Sequence, residues 1–535
     1  MKDLYALLPF ILLVGCVENQ IEQKIDYYQN KIENAFSRAR CHKIRKDNSD
    51  FFKNAAGYKE NKCIYTQGKV VGGSGTINGL GYARGNRADN DNWALMGNHG
   101  WSFDDVLPFF KKLENFVSDD IDFEYRGTGG PVNIAYSKVN QNFSKIREAY
   151  SEIGVVYTQD YNAEPQIGVS VIQRNIKFGR RVSGSTAYVR PSFRNKNLNV
   201  TVGALVTKIL IEKFTKQAYG IQFIKRGKIY TAIAEREVII SAGTINSAQL
   251  LMLSGVGPKA ELKKHNIPVI SNLAVGETFK DHILFRVSFE TKHNDTVSLR
   301  NLIKEYLGGE GILTNLDNSV SFSYHNTKNP NSTVPNIEFV LYLPSPASFL
   351  VPSLSNYTQK TQQYINKLDI RRDFYIEIFL LYPESSGNVT LKSSSPIDFP
   401  SIDLGIFKKE NDLETFYEAI QIVEQLVETK VGKTSHLKPV EFQVCSEYSY
   451  GSKEYWYCAL KHIAAPGLHP STTTKMGPPT DRLAVVDHRL RVYGVNRLRV
   501  ADCGIMPTTI AGHNNAVAFM IGEKAADLIK RDHQI

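Results

Sequence analysis

Two histidines near the C-terminus sit in settings able to move a proton. His513 lies in "TTIAGHNNAVAF", just before a run that spaces Ala516, Met520, Lys524 and Leu528 at helical intervals, so the spacing predicts a helix starting at Asn514 or Asn515. A residue at that place meets converging backbone N–H groups and the positive end of the helix dipole. Negative charge developing on a bound molecule is stabilised there, and a neutral imidazole can exchange protons with it. His469 opens the second setting, "GLHPSTTTKMGPP", a compact polar loop with four small hydroxyl residues, Ser471 to Thr474. In a chain with twelve histidines, either one read alone is more often an ordinary loop histidine.

A third suggestive stretch lies far upstream. "GKVVGGSGTINGLGYARGNRADNDNW" (68–93) places six glycines between Gly68 and Gly81. Without a Cβ such a backbone can run against a flat or phosphorylated ligand, although Gly72–Gly75 alone also reads as a tight turn.

These segments need elements to hold them. Leu498 to Ala501 reads as a short apolar strand with Asp502 at its end, followed by a loop with Pro507. "NVTVGALVTKILIE" (199–212) and "IYTAIAEREVIIS" (229–241) read as strands around a polar turn. The second runs into "AGTINSAQLLMLSGVGP", where Gly243 breaks the strand, Asn246 and Ser247 cap an apolar helix, and Gly255 and Pro258 end it. Residues 290–460 are richer in Ser, Asn, Tyr and Pro, with short strands "SVSFSY", "NIEFVLYL" and "FYIEIFLLY" and one amphipathic helix, 412–430. The pattern predicts an α+β domain on a largely antiparallel sheet, inserted between pieces of an α/β domain.

Length and composition bound the rest. A chain of 535 residues exceeds one compact core, so two domains with interleaved segments are expected. Its 42% hydrophobic and 22% charged residues are those of a globular protein. The formal charge of +10 is scattered and no groove-reading motif accompanies it, which argues against nucleic acid as a partner. The apolar run Leu4 to Val17 is too short for a membrane span and suits a signal-peptide core, with a buried strand or helix as the alternative. Residues 18–36 carry Ile21, Ile25, Tyr28, Ile32 and Ala35 on one helical stripe. Sequons at Asn142, Asn199, Asn294, Asn331, Asn356 and Asn388 agree with secretion. So do Cys445 and Cys458, which a disulfide could join across a polar aromatic loop. No cysteine or histidine spacing suggests a metal site.

Together the segments resemble the glucose–methanol–choline (GMC) oxidoreductase family, and within it the insect glucose-dehydrogenase-like members. The resemblance runs from about residue 55 to 531. It rests on the glycine-rich stretch 68–93, "GTINSAQLLMLSGVGP", "GTGGPVNI" (127–134), "GRRVSGSTAYVRP" (179–191), "LAVGETFKDHI" (273–283) and "AVVDHRLRVYGVNRLRVADCGIMPTT", all in the family's order. The resemblance implies an α/β FAD-binding domain, partly Rossmann-like, and a substrate domain built on an antiparallel sheet. Divided accordingly, residues 1–17 are a signal-peptide candidate and 18–54 a divergent segment. Residues 55–290 hold FAD-domain segments with part of the substrate domain, 291–464 the substrate domain, and 465–535 the last FAD-domain segment. It also implies FAD, a small alcohol, sugar or steroid as substrate, and a quinone or other electron acceptor. His469 matches the catalytic base and His513 the second active-site position. Gly72, Gly73, Ser74, Thr76 and Asn78 match the loop passing the flavin ring, Val206 the adenine contact, and Asp502, Cys503 and Asn514 positions near the flavin.

The chain departs from the family at its start. The family opens with a strand, G-x-G-x-x-G and a helix that holds the pyrophosphate, and this sequence contains no G-x-G-x-x-G. "FILLVGCVENQ" offers only Gly15, with Glu18 where phosphate needs N–H groups. Three explanations remain open: an incomplete first coding segment, a variant without tight FAD, or a site rebuilt by residues 1–50. The loop "HPSTTTKM" also lacks the glycine and cysteine usual in relatives. The functional expectation is therefore an FAD-dependent oxidation of CH–OH groups, with a catalytically silent secreted homologue as the alternative.

Overall fold

Alternation of apolar side chains builds the larger sheet. The computed structural model describes residues 56–138, 143–291, 298–315, 318–344, 356–369 and 372–535. The signal-peptide candidate, the segment 18–54 with its predicted helix, and the sequons at Asn142 and Asn294 lie outside the described residues. Seven strands form the sheet, in the order Lys438–Pro439, Ile283–Glu290, Phe374–Leu380, Ile337–Tyr342, Ser319–His325 and Gly168–Val171, with Ala465–Pro466 also pairing with Ile283–Glu290. Every pairing is antiparallel, as the short alternating strands predicted. The sheet also takes strands from before residue 291 and after residue 464, so it is wider than the segment 291–464.

Because side chains alternate faces with a period of two, register sorts them. Ser323, Phe339, Ile378 and Phe285 stand in one cross-strand row. Phe285 packs edge-on against Phe416 of the helix Glu410–Glu428 and Trp456 of the helix Lys453–Ile463. The next row, Tyr324, Glu338, Phe379 and Leu284, points to the opposite face with Phe322 and Val340. A carboxylate in that second face is the exception that needs a reason.

The smaller framework is a parallel pair, Val238–Ile240 beside Leu498–Val500. The helix Thr244–Leu253 follows the first strand, and the helix Asn514–His533 follows the second after a short turn at Cys503–Ile505. Beside them lies a three-stranded antiparallel meander, Ala204–Ile211, Ala218–Lys225 and Lys228–Ile233.

Three details differ from the sequence expectation. A whole strand, Ala218–Lys225, occupies what read as a polar turn, because Tyr219, Ile221 and Phe223 alternate with small and polar residues. The run 229–241 splits at the charged bend Glu235–Glu237, which carries the chain from the meander to the parallel pair. The helix expected to be capped by Asn246 and Ser247 begins earlier, at Thr244, with Gly243 as its N-cap and no side-chain cap bond. Its first turn is served instead by Asp502, which accepts hydrogen bonds from the Gly243 N–H and the Ser247 hydroxyl. A carboxylate from another strand thus does the capping.

Cys445 and Cys458 are joined in a disulfide, in agreement with their spacing. Among the described residues no helix is long and apolar enough to cross a membrane.

Candidate active site

The two late histidines meet. His513 is the N-cap residue of the helix Asn514–His533 and makes no side-chain cap bond, which leaves its ring free for other partners. Its Nδ1 lies 2.9 Å from His469 Nε2, and its Nε2 lies 3.0 Å from Glu338 Oε1. His469 Nδ1 in turn lies 3.0 Å from His282 Nδ1. Four titratable groups, His282, His469, His513 and Glu338, therefore form one hydrogen-bonded chain.

Phe322 stacks on the His513 ring at 5.0 Å between centroids, and Phe379 lies 5.3 Å from His513 and 5.8 Å from His469. Both phenylalanines stand on the sheet face that carries Glu338. The explanation for the buried acid is now clear: Glu338 is fully buried and its partners are His513 and the Tyr324 hydroxyl.

Two proton orders fit the chain of rings. With Glu338 ionised and all three imidazoles neutral, each proton points toward the carboxylate, and His469 Nε2 is a donor. With protons pointing toward His282, His469 Nε2 becomes an acceptor, and His513 then carries protons on both nitrogens or Glu338 is protonated. Burial, followed by the repulsion that a charged His469 would meet from the neighbouring His513 and His282 rings, holds His469 well below the ordinary histidine range. His282 is pushed down to about 3, chiefly by burial and then by His513. Both rings are neutral at physiological pH.

The glycine-rich stretch reaches the same place. Gly73–Thr76 forms a short turn preceded by Gly72 at φ +93°, and a Cβ on Gly72 would sit 2.6 Å from Thr76 Oγ1 and 3.0 Å from Ser185 N. Only glycine fits there. A Cβ on Gly75 would lie 3.2 Å from Asn515 Oδ1, so the turn faces the first residues of the C-terminal helix.

The other expected residues occupy mixed positions. The Ser74 hydroxyl accepts from Gly68 N–H, Thr76 donates to the Val71 carbonyl, and Asn78 accepts from Leu80 N–H and Arg181. Gly73 has open space where a Cβ would project. Asn514 Nδ2 donates to the His469 and Pro470 carbonyls, tying the helix start to the His469 loop. Cys503 Sγ lies 3.9 Å from the Asn514 carbonyl, and burial, then Asp502, pushes its thiol up to about 12. Asp502 spends both carboxylate oxygens on Gly243, Ser247 and Gly504. Val206 stands on the meander opposite Phe223 and shares no hydrogen bond with either histidine loop among the described residues.

Sequence reasoning missed His282, Glu338, Asp281, Asp89, Tyr65 and Tyr382. Asp281 and His282 lay inside the quoted "LAVGETFKDHI". For Glu338 the signal was an acid in the otherwise apolar strand "NIEFVLYL".

Whether this arrangement suits a flavin can be judged from polar atoms that lack partners. Thr472 Oγ1, Thr474 Oγ1 and Asn514 Oδ1 are buried without a hydrogen bond, although buried polar atoms are normally paired. Thr472 and Thr474 stand in the His469 loop and Asn514 at the start of the C-terminal helix, whose next residue, Asn515, faces Gly75. That donor and acceptor set fits the ring end of FAD. The described residues supply no glycine-rich strand–helix turn for its pyrophosphate.

Comparison with known proteins bears on the same residues. The family model described as GMC oxidoreductase matches in two parts, at residues 15–284 and 383–522. The first part starts upstream of Ala55, where the motif resemblance begins. Glucose dehydrogenase [FAD, quinone] of Drosophila pseudoobscura pseudoobscura is 35% identical over 484 residues, covering 88% of this chain and 75% of that protein. Ecdysone oxidase of Spodoptera littoralis is 34% identical, covering 88% and 79%, and oxygen-dependent choline dehydrogenase of Brucella anthropi is 34% identical, covering 87% and 82%. Among solved structures, an FAD-dependent oxidoreductase from Chaetomium thermophilum superposes with a TM-score of 0.78 at 23% identity, covering 90% of this chain and 89% of the other. Pyridoxine 4-oxidase from Mesorbium loti gives 0.75 at 22%, covering 92% and 89%, so the fold is shared.

Proposed function

Because the chain belongs to the GMC oxidoreductase family, we propose that it oxidises the CH–OH group of a small alcohol, sugar or steroid with FAD as cofactor. The observation that carries this reading is the approach of His469 and His513 to within 2.9 Å beside Asn514, with the Gly72–Gly75 turn facing the same helix start. FAD, when bound, supplies the hydride acceptor. Gly72, Gly73, Thr472, Thr474 and Asn514 are the residues that would hold its ring end.

Neutral His469 accepts the hydroxyl proton at Nε2, once its Nδ1 proton points toward His282 and the substrate hydroxyl takes the place of His513 Nδ1 at that nitrogen. His513, held at Nε2 by Glu338, turns its Nδ1 toward the substrate oxygen and orients the hydroxyl there. The helix beginning at Asn514 adds its positive end to the same spot. Phe322 and Phe379 exclude water from the rings. A quinone or dye takes the electrons onward. Secretion belongs to the same reading, supported by the Cys445–Cys458 disulfide and by exposed sequons at Asn199 and Asn331.

Purified protein should be yellow with flavin absorbance and should reduce a quinone or dye with an alcohol substrate. His469→Ala should lower turnover on the order of 10²- to 10⁴-fold, the usual range for a general base. A colourless protein that stays without flavin after refolding in excess FAD overturns the reading. The absence of G-x-G-x-x-G favours a second one, a catalytically silent homologue, in which His469→Ala changes nothing but stability.

A further inference from the structure

We propose that Asp281 and Asp89 are positioning residues of this site, each locking the loop that carries one of the two active-site imidazoles. The proposal rests on the catalytic reading of His469 and His513.

The two aspartates share one design. Asp281, buried, accepts the His469 N–H through Oδ1 at 2.7 Å and the Tyr65 hydroxyl through Oδ2 at 2.6 Å. Asp89, also buried, accepts the Ala511 N–H through Oδ2 at 2.9 Å and the Tyr382 hydroxyl through Oδ1 at 2.5 Å. In each case a carboxylate from a distant segment holds a backbone N–H in the histidine loop, and a tyrosine hydroxyl holds the carboxylate.

Neither arrangement is explained by local structure. Asp89 does belong to the capping box of the helix Arg87–Leu95, where it accepts from Asn86 N–H. A cap uses nothing from Ala511 or Tyr382, which lie more than 290 residues away. Gln166 Nε2 donates to the Ala511 carbonyl at 2.7 Å, so both polar groups of that residue are held, two positions before His513. Asp281 is the neighbour of His282, whose ring meets His469 Nδ1, so one short segment fixes both the backbone and the ring of His469. The preceding residue, Leu468, holds a left-handed φ of +62°, a conformation that side chains with a Cβ rarely adopt. Loss of the Asp281 contact releases a backbone that has reason to relax.

The test uses the full chain and two readouts. Peptide-level hydrogen exchange follows the segments 468–474 and 510–516, and steady-state kinetics give kcat and KM. Asp281→Ala should speed exchange in 468–474 by about tenfold or more and leave 510–516 unchanged, since local opening frees only its own amides. Asp281→Asn, which keeps an acceptor for the His469 N–H, should restore protection. Tyr382→Phe and Asp89→Ala should show the reverse pattern. Where turnover is measurable, kcat should fall about a hundredfold with KM nearly constant, as a misplaced catalytic group requires. If an alanine variant does not fold, Tyr65→Phe and Tyr382→Phe carry the same comparison.

Unchanged exchange in the targeted loop, equal loosening of both loops, or a loosened loop with parental kcat overturns the proposal. A wild-type protein without turnover defeats the proposed function instead, and the exchange pattern then decides the role of the aspartates by itself.

Discussion

An imidazole serves as a base only while its surroundings keep it neutral, and three features do so for His469: burial, His513 and His282. Glu338 works from the other end of the chain by holding His513 Nε2. Glu338→Gln keeps the length and an acceptor but removes the charge. A hydrogen bond to a charged group contributes about 1.5–3 kcal/mol, so kcat should fall roughly 10- to 150-fold. Steady-state kinetics at fixed pH check this, and parental turnover would show that the carboxylate charge is irrelevant. The histidines themselves were legible because His513 stands just before a helix, His469 opens a compact polar loop, and the family resemblance matches both. Glu338 was not, because its partner His513 is 175 positions away and nothing local marks the pairing.

Strand register explains how these residues share one face. Tyr324, Glu338 and Phe379 oppose one another directly, while the adjoining row faces the helices. One strand also carries a pH signature. His325, last in Ser319–His325, is pushed down to about 4 by burial. An unfolded histidine titrates near ~6.5. Between those values the unfolded chain binds a proton that the folded chain does not, so stability falls as pH drops from about 6.5 toward 4, by up to about 1.4 kcal/mol per pH unit. His325→Phe should remove this contribution and leave those of His282 and His469, a smaller slope that urea midpoints at several pH values would measure.

The strand Glu114–Val117 begins with a second buried acid. Glu114 pairs with Arg84 and Arg126 and accepts from the Tyr82 hydroxyl, all in the interior, so it pins the downstream end of the glycine-rich stretch. Glu114→Ala should cost about 3–5 kcal/mol by leaving the buried Arg84 guanidinium without its carboxylate, while Arg126 keeps Asp160, read as a loss in thermal unfolding. The strands of the large sheet were predictable because each alternates cleanly. Ala218–Lys225 was missed because its charged and glycine positions look like a turn until its two neighbours pair with it. The cap on Thr244–Leu253 escaped notice for a related reason: the capping group, Asp502, arrives from the far end of the chain.

Across the whole molecule, the segments that build the site are distant in sequence. The Cys445–Cys458 disulfide closes a loop with a separation of 13 residues, and a crosslink of that span contributes about 3 kcal/mol. Cys458→Ser, or mild reduction, should lower the melting temperature without touching the histidine chain. Calorimetry with and without reductant reads the melting shift, and turnover at a temperature well below it should stay parental.

The parallel pair Val238–Ile240 and Leu498–Val500 has a temporal consequence. The earlier strand leaves the ribosome long before its partner exists; His469 emerges between the two, and His513 and the helix that it caps come later still. The nascent protein must therefore keep that apolar edge from pairing elsewhere until synthesis is almost complete. A chaperone that shields strand edges should raise the yield of this chain more than one that acts on finished domains.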